Sequence, residues 1–230
     1  MMKQSVCHKY LALILPLLFI LSFPFIFNSC IGVGMDITLN KDGSGTITLE
    51  YIIRQSFDSL GKLDGNERWN TIPVGRADFM RTIDRIPEMK LLSFSSKENA
   101  ENIIVNAKME FDNLRALTAF LDMSGRRSSY SGDANSGSLV LTLTEGLNTD
   151  QGNWNNENLI DLIAVISEQY QVKMSMSFPN EGSLKITDAQ GLLSELPGSE
   201  IKQMGKNVSF TLPLYTVLSS TGGINVEFMW

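Results

Sequence analysis

Cys30 is the residue of this sequence whose type and setting predict a covalent modification. It follows two lysines and a mostly apolar run over residues 10–27, and this order of charge, apolar run, small residue and cysteine is typical of a bacterial lipoprotein signal. Maturation of such a signal attaches a diacylglyceryl group to the thiol and removes the preceding segment. We therefore expect residues 1–29 to be a signal peptide and residues 30–230 to be a domain held on a membrane by Cys30, acylated with chains such as palmitate.

Two other fates of this segment stay open. Phe27 and Asn28 stand where lipoprotein signals usually carry Leu and a small residue. The segment could remain as a transmembrane anchor, since its apolar run of 18 residues reaches the lower limit for a bilayer span. Alternatively, it could be cleaved without acylation. Pro16 and Pro24 interrupt the run and no positive cluster follows it, and both features favour cleavage.

The predicted mature chain lacks the side chains on which most enzyme classes depend. Cys7 and His8, the other cysteine and the single histidine, both precede Cys30, which excludes Ser-His-Asp triads, cysteine nucleophiles and zinc sites of the usual type. Removal of residues 1–29 leaves 17 basic against 25 acidic residues, a balance unfavourable for nucleic acid. We expect a non-enzymatic protein without catalytic residues, metal or cofactor, and with no nucleic-acid partner.

Two remaining groups of residues could carry chemistry. The Asp-Gly-Ser-Gly sequence at residues 42–45 is similar to part of a calcium or phosphate loop, but it lacks further carboxylates and a P-loop lysine, so it predicts a hairpin turn. Glu50, Glu110 and Glu227 could form a carboxylate pair, yet each falls on the polar side of an alternating pattern, which favours solvated surface. A carboxylate-dependent hydrolase of envelope glycans therefore stays as a minor alternative.

Residues 54–90 differ in charge from the rest of the mature chain. They hold seven basic against six acidic side chains, and Arg81 and Arg85 fall one helical turn apart. A basic patch close to a membrane could contact anionic head groups. Asp78 and Asp84 are spaced to neutralise it, so both interpretations stay open.

Alternation of apolar and polar residues predicts most of the secondary structure. Such alternation is typical of antiparallel strands with one wet face, and it occurs at residues 33–39, 47–53, 103–111, 139–143, 172–178, 208–212 and 224–230. Helical spacing occurs at residues 76–86, at 113–123 with Asp112 as the expected N-cap, and at 157–170. Polar loops are expected at residues 54–75, 124–138 and 146–156.

These elements predict a single α+β domain in which an antiparallel sheet has its apolar face covered by about three helices. The first strand starts about three residues after Cys30. At about 3.4 Å per residue this tether is only about 10 Å long. We therefore expect the domain to lie close to the bilayer.

The order of these parts resembles the LppM-type lipoprotein domain, and in particular spirochaete lipoproteins of that type. The resemblance is carried by the signal ending in Cys30 and by short motifs in the first hairpin, in a loop, before a helix and late in the chain. The resemblance implies a small α+β envelope domain that binds lipid or glycolipid and has no established catalytic residues. The motifs are Met35 to Asn40, Asp42 to Gly45, Gly65-Asn66-Glu67, Asp78-Phe79, Ser177-Phe178-Pro179, Gly182, Val208-Ser209-Phe210 and Pro213-Leu214.

Two functions follow as hypotheses for an extracytoplasmic protein anchored to the inner or outer membrane. In the first, the domain binds a lipid or glycolipid in an apolar groove, and the sequence does not single out the binding residues. In the second, a structural or assembly lipoprotein binds a membrane-protein partner through its long polar loops. Flexible thioethers tolerate variable contents, and four lie on predicted buried faces: Met35, Met109, Met174 and Met176.

Overall fold

The computed structural model describes most of the chain after the predicted signal. The residues it describes are 32–55, 75–122, 125–144, 167, 170–188, 191–192, 198–220 and 222–230. In these ranges the chain forms twelve strands and three helices.

Seven strands form a large mixed sheet. They are β1 (Val33–Leu39), β2 (Gly45–Arg54), β3 (Met89–Glu98), β4 (Asn102–Phe111), β7 (Gln171–Ser177), β10 (Glu200–Met204) and β11 (Asn207–Pro213). Their order across the sheet is β10-β11-β7-β1-β2-β4-β3. The β1–β7 pair is parallel, and the other described pairs of this sheet are antiparallel.

Five strands form a second, antiparallel sheet. They are β5 (Ser128–Gly132), β6 (Gly137–Thr144), β8 (Ser183–Asp188), β9 (Gly191–Leu192) and β12 (Ile224–Met229). Their order is β5-β6-β12-β8-β9. The two C-terminal elements β11 and β12 belong to different sheets, so the chain crosses from the large sheet to the small one near its end.

The helices lie against the sheets at three places. Helix α1 (Arg76–Ile83) contacts β3, α2 (Leu114–Leu121) contacts β4 and β5, and α3 (Leu214–Ser219) contacts β6, β7 and β11. The first two confirm the helices predicted at residues 76–86 and 113–123, each with a shorter C-terminal end. The third predicted helix, at residues 157–170, lies outside the described residues except for Ser167 and Tyr170.

Helix α2 begins one residue later than the sequence predicts. Asn113 has an extended backbone, and its Oδ1 accepts a hydrogen bond from the Ala116 N–H at 2.9 Å, which is the geometry of an N-cap. The Asp112 N–H instead donates to the Glu88 carbonyl. The prediction of Asp112 as the cap is therefore wrong, because Asp112 directly follows β4 and the side chain of Asn113 caps the helix.

One hydrophobic core joins both sheets and the helices. The apolar residues of β4, β11 and β12 alternate inward, as the period of two requires. The Phe210 ring on β11 lies 6.3 Å from the Phe228 ring on β12, so side chains of the two sheets meet face to face. The predicted class, a single α+β domain, is confirmed. The structure adds a second sheet and a parallel pair to that prediction.

Several elements were not predicted. The loop expected at residues 124–138 contains β5 and the first residues of β6, so that expectation is wrong there. Strand β5 has the sequence Ser-Ser-Tyr-Ser-Gly, which lacks apolar alternation and forms a strand because it pairs with β6. Of the loop expected at residues 54–75, Arg54 belongs to β2 and residues 56–74 lie outside the described residues, as does the whole loop expected at residues 146–156. Strands β3, β8, β9 and β10 and helix α3 were also missed.

No helix in the described ranges combines the length and apolar character needed to cross a bilayer.

Candidate functional site

The end of the large sheet where β1 begins lies next to the predicted acylation site. Cys30 itself is outside the described residues. The Gly32 N–H donates to the Gln171 carbonyl at 3.0 Å, and the Gly32 carbonyl accepts from the Ile52 N–H at 3.0 Å, so the chain is held between β7 and β2 two residues after Cys30. We call this end of the domain the tether end; it comprises Gly32, Val33, Arg54, Tyr170, Leu214, Tyr215 and Leu218.

Tyr170 connects the parts of the tether end. Its hydroxyl accepts a hydrogen bond from Arg54 Nε at 3.0 Å, and the guanidinium carbon lies 5.9 Å from the ring centroid. Its carbonyl accepts from the Leu214 N–H at 2.9 Å, which fixes the start of α3. A Cβ at Gly32 would lie 2.9 Å from the Tyr170 Cβ. Glycine at position 32 therefore lets β1 pass directly against Tyr170.

The apolar inner face of the large sheet reaches the surface at the tether end. Along β1 the exposed fraction falls from 37% at Val33 to 1% at Ile37, with Met35 partly buried between them. On the neighbouring strand β7, Val172 is partly buried opposite Val33. These side chains form the partly exposed end of the apolar inner face. We call Val33, Met35 and Val172 the apolar mouth.

Methionine side chains continue the apolar mouth inward. Met35 pairs with Met174, and Met176 lies two residues further along β7. Met174 is 4% exposed and Met176 is fully buried. Met109 is also fully buried but lies on β4, two strands away from β1. Three of the four predicted core methionines therefore form one group, with Met35 in the mouth and Met174 and Met176 behind it.

The three candidate glutamates do not come together. Glu50 on β2 lies opposite Asn106 on β4, four residues before Glu110, and four residues of strand span about 13 Å. Glu227 lies on β12 of the other sheet. Paired glycosidase carboxylates are about 5–10 Å apart, so the structure does not assemble a pair from these residues.

Residues 42–45 form the hairpin turn that the sequence predicts. Asp42 Oδ1 accepts hydrogen bonds from Ser44 Oγ at 2.7 Å and from the Ser44 N–H at 3.0 Å, and Gly43 adopts φ 88°. The hydroxyl bond from Ser44, followed by the backbone bond, lowers the pKa of Asp42 below its ordinary value of 3.8. This carboxylate is therefore occupied by its own turn.

The basic stretch at residues 54–90 does not form one patch. Arg54 pairs with Asn102 on β4, whereas Lys90 pairs with Glu110 on the same strand. Eight residues of strand separate the two places, about 26 Å. Arg54 is at the tether end, and Lys90 is at the opposite end of the large sheet.

That opposite end is built from tight turns that bind one another, and we call it the turn end; it comprises residues 40–45, 133–136, 178–182, 205–206 and 230. The Phe178 N–H donates to the Lys206 carbonyl and the Gly182 N–H to the Gly205 carbonyl, both at 2.9 Å. Trp230 stacks on Phe178 with centroids 5.2 Å apart. These contacts join the turns of both sheets.

Residues of the lipoprotein resemblance lie at the turn end and shape it. A Cβ at Gly45 would lie 2.0 Å from the Thr38 carbonyl and 2.4 Å from the Phe111 ring. A Cβ at Gly182 would lie 2.2 Å from the Phe178 ring. These distances leave no room for a side chain at position 45 or at position 182, which explains why both residues are glycine.

Sequence reasoning did not find the arrangement around Tyr170. The sequence predicts Tyr170 at the end of the helix expected at residues 157–170, and it places Arg54 in the basic stretch at residues 54–90. The two residues are 116 positions apart in the chain, and no local pattern relates them. The sequence offers one signal for this arrangement: Arg54 lies at the end of the alternating strand that pairs with β1.

Comparisons with known proteins find a distant structural likeness. No protein-family model matches the chain, and no curated protein matches it. Among solved structures, the fold is similar to the NMR structure of the folded domain of LppM from Mycobacterium tuberculosis, with a TM-score of 0.41, 12% sequence identity and coverage of 86% of this chain and 88% of that one. The likeness is distant, and at this score it supports no statement about ligand or activity.

Proposed function

We propose that this chain is a lipoprotein anchored in a bacterial envelope membrane, and that its domain binds a lipid or glycolipid through the apolar mouth. The observation that carries the proposal is the exposure gradient along β1, from 37% at Val33 to 1% at Ile37. The apolar surface of the core is thus continuous with the domain surface at the end nearest Cys30.

The side chains behind the mouth suit an acyl chain. Met35 and Met174 are unbranched and carry several rotatable bonds, so they can repack around contents of variable shape. Apolar surface at the mouth gains free energy when it is removed from water, at roughly 25 cal/mol per Å². A lipid tail entering between β1, β7 and the second sheet would supply that burial without any catalytic group, metal or cofactor.

The alternative function is binding of an envelope membrane protein. It is favoured by the ring contact between Phe210 and Phe228, which fills the space between the sheets near their middle. A filled core leaves less room for a ligand, and an exposed apolar edge then serves a protein partner instead. The experiment below separates the two functions.

The test uses a chain that lacks residues 1–29 and carries Cys30→Ser. We expect lipid in native mass spectra of the purified protein and saturable displacement of a fluorescent fatty-acyl probe. Val33→Gln and, as a second variant, Val172→Gln should weaken probe binding because each places an amide in the mouth. Met204→Gln is the matched control, since Met204 is 69% exposed at a distant turn and its substitution should leave binding unchanged.

Two results would contradict the lipid hypothesis. One is a folded wild-type domain that carries no lipid and binds no probe, and this result favours the partner function. The other is equal binding by the Val33 variant and the Met204 control, which would place the ligand elsewhere. Anchoring is tested separately by fatty-acid labelling of the full-length chain, where Cys30→Ala should abolish the label.

A further inference from the structure

We propose that the tether end is a membrane-contact surface that lies in the head-group region of the bilayer, a proposal that rests on the proposed acylation of Cys30. Gly32 is fixed to β2 and β7 by two backbone hydrogen bonds. Two peptide units separate Gly32 from Cys30. Covalent geometry therefore limits the distance between the Cα atoms of these two residues to about 7 Å. An acylated Cys30 therefore holds Gly32 at the membrane surface.

Apolar side chains project around this fixed point. Tyr215 and Leu218 are three residues apart on α3 and are 37% and 41% exposed, while Val217 on the opposite side of the helix is 6% exposed. Helix α3 thus buries one face against the domain and leaves two apolar side chains outside. Val33, immediately after Gly32, is also exposed. A bilayer within reach of Gly32 would cover all three.

The outward helix face and the tether are physically connected. The Leu214 N–H, at the start of α3, binds the Tyr170 carbonyl, and the Gln171 carbonyl binds the Gly32 N–H. The path from Gly32 to Tyr215 thus runs through two hydrogen bonds and adjacent residues. Tyr170 also carries a hydroxyl bonded to Arg54, and tyrosine and arginine are side chains that place apolar and polar parts on either side of a membrane interface.

Burial of apolar surface, rather than charge, would drive this contact. The predicted mature chain is acidic, with 17 basic against 25 acidic residues. An anionic surface would therefore gain little over a neutral one. The partner that fits is the boundary between head groups and acyl chains of a zwitterionic bilayer, where apolar helix faces insert by about 5–10 Å.

This orientation has a consequence for the proposed ligand. The apolar mouth at Val33 and Met35 would then face the bilayer. A lipid could pass from the membrane to the mouth without crossing bulk water.

For the experiment, the full-length chain is expressed so that the cell can process it, and the purified mature protein is reconstituted in phosphatidylcholine vesicles. The only native cysteines are Cys7 and Cys30, so an acylated mature chain has no free thiol and accepts a nitroxide label only at an introduced cysteine. Leu218→Cys reports on the tether end, Tyr215→Cys repeats the test there, and Met204→Cys is the control at the turn end. Mass spectrometry of the N-terminal peptide measures acylation of Cys30 in the same samples.

We expect the label at position 218 or 215 to lose collisions with a water-soluble nickel chelate and to gain collisions with oxygen when the protein is in vesicles. The label at position 204 should stay water-accessible. An acylated chain with water-like labels at 215 and 218 would overturn the contact surface and leave anchoring intact. Absence of the acyl mass would overturn anchoring and, with it, the contact surface.

Discussion

The turn end and the tether end are built on the same seven-stranded sheet, but they complete their structure in different ways. At the turn end, the turns of the two sheets hydrogen-bond one another, and Trp230 stacks on Phe178. At the tether end, apolar side chains stay partly exposed, and the buried Oδ1 of Asn102, which pairs with Arg54, accepts no hydrogen bond from any residue that the structure describes. An unsatisfied buried acceptor costs about 1–3 kcal/mol.

This difference indicates where the domain depends on something outside itself. The turn end joins its turns by backbone hydrogen bonds between its own residues and stacks the partly buried Trp230 on the buried Phe178. The tether end leaves apolar surface uncovered next to the predicted membrane anchor. Substitutions at the turn end should therefore reduce stability, whereas substitutions at the apolar mouth should mainly reduce binding.

The largest effect is expected between the two sheets. Phe228→Ala should lower the free energy of unfolding by about 3–5 kcal/mol, because it removes a fully buried ring that packs against Phe210. Val33→Ala at the tether end should cost less than about 1 kcal/mol, since Val33 is already exposed. Urea unfolding followed by circular dichroism measures both. Equal losses for the two variants would break the distinction between the packed core and the tether end.

A smaller loss is expected at the first hairpin. Gly45→Ala should lower the free energy of unfolding by about 3 kcal/mol, because its Cβ would meet the Thr38 carbonyl at 2.0 Å. Gly205→Ala is the control, with φ 58° and no atom within 4 Å of an added Cβ, and should cost about 1 kcal/mol for the left-handed backbone alone. A smaller loss for Gly45→Ala than for Gly205→Ala would show that the packing at the turn end is not tight.

Two substitutions of Trp230 should separate the contribution of ring stacking to the free energy of unfolding from that of hydrogen bonding. Trp230→Phe keeps a ring against Phe178 and removes the bond from the indole Nε1 to the Asp133 carbonyl at 2.8 Å. We expect a loss of about 1 kcal/mol, and a larger loss for Trp230→Ala. No difference between the two variants would mean that the stack with Phe178 contributes nothing.

The smallest effect concerns pH. The pKa of Asp42 is lowered by its bonds from Ser44, so the folded state holds the ionised form, and the stabilisation present above 3.8 is lost as the pH falls through the folded pKa. Ser44→Ala should raise the pKa of Asp42 toward 3.8. An NMR titration of the Asp42 carboxyl in both proteins measures this shift. An unchanged pKa would contradict the assigned hydrogen bonds.

The sequence predicted those parts of the fold that depend on local patterning. The strands around residues 33–39 and 103–111 were found because their apolar residues alternate over their whole length. Strand β5 was missed because its serines carry no such signal, and its conformation depends on pairing with β6. Helix α3 was missed because six residues after Pro213 are too few to establish a helical period.

The candidate site was less predictable than the fold. Cys30 is defined by a local motif, and its acylation stays a prediction. The apolar mouth depends instead on the relative exposure of Val33 and Ile37, which alternation places on the same face without distinction.

The most direct test of the account is an NMR titration of the soluble domain with methyl-labelled methionines, using a short-chain phospholipid as the ligand. The account predicts saturable shifts for the methyl groups of Met35 and Met174, which lie at and behind the apolar mouth. The methyl groups of Met109 and Met204 should stay in place. Saturable shifts confined to Met204, or an absence of shifts at Met35 and Met174 at full saturation, would contradict lipid binding through the mouth.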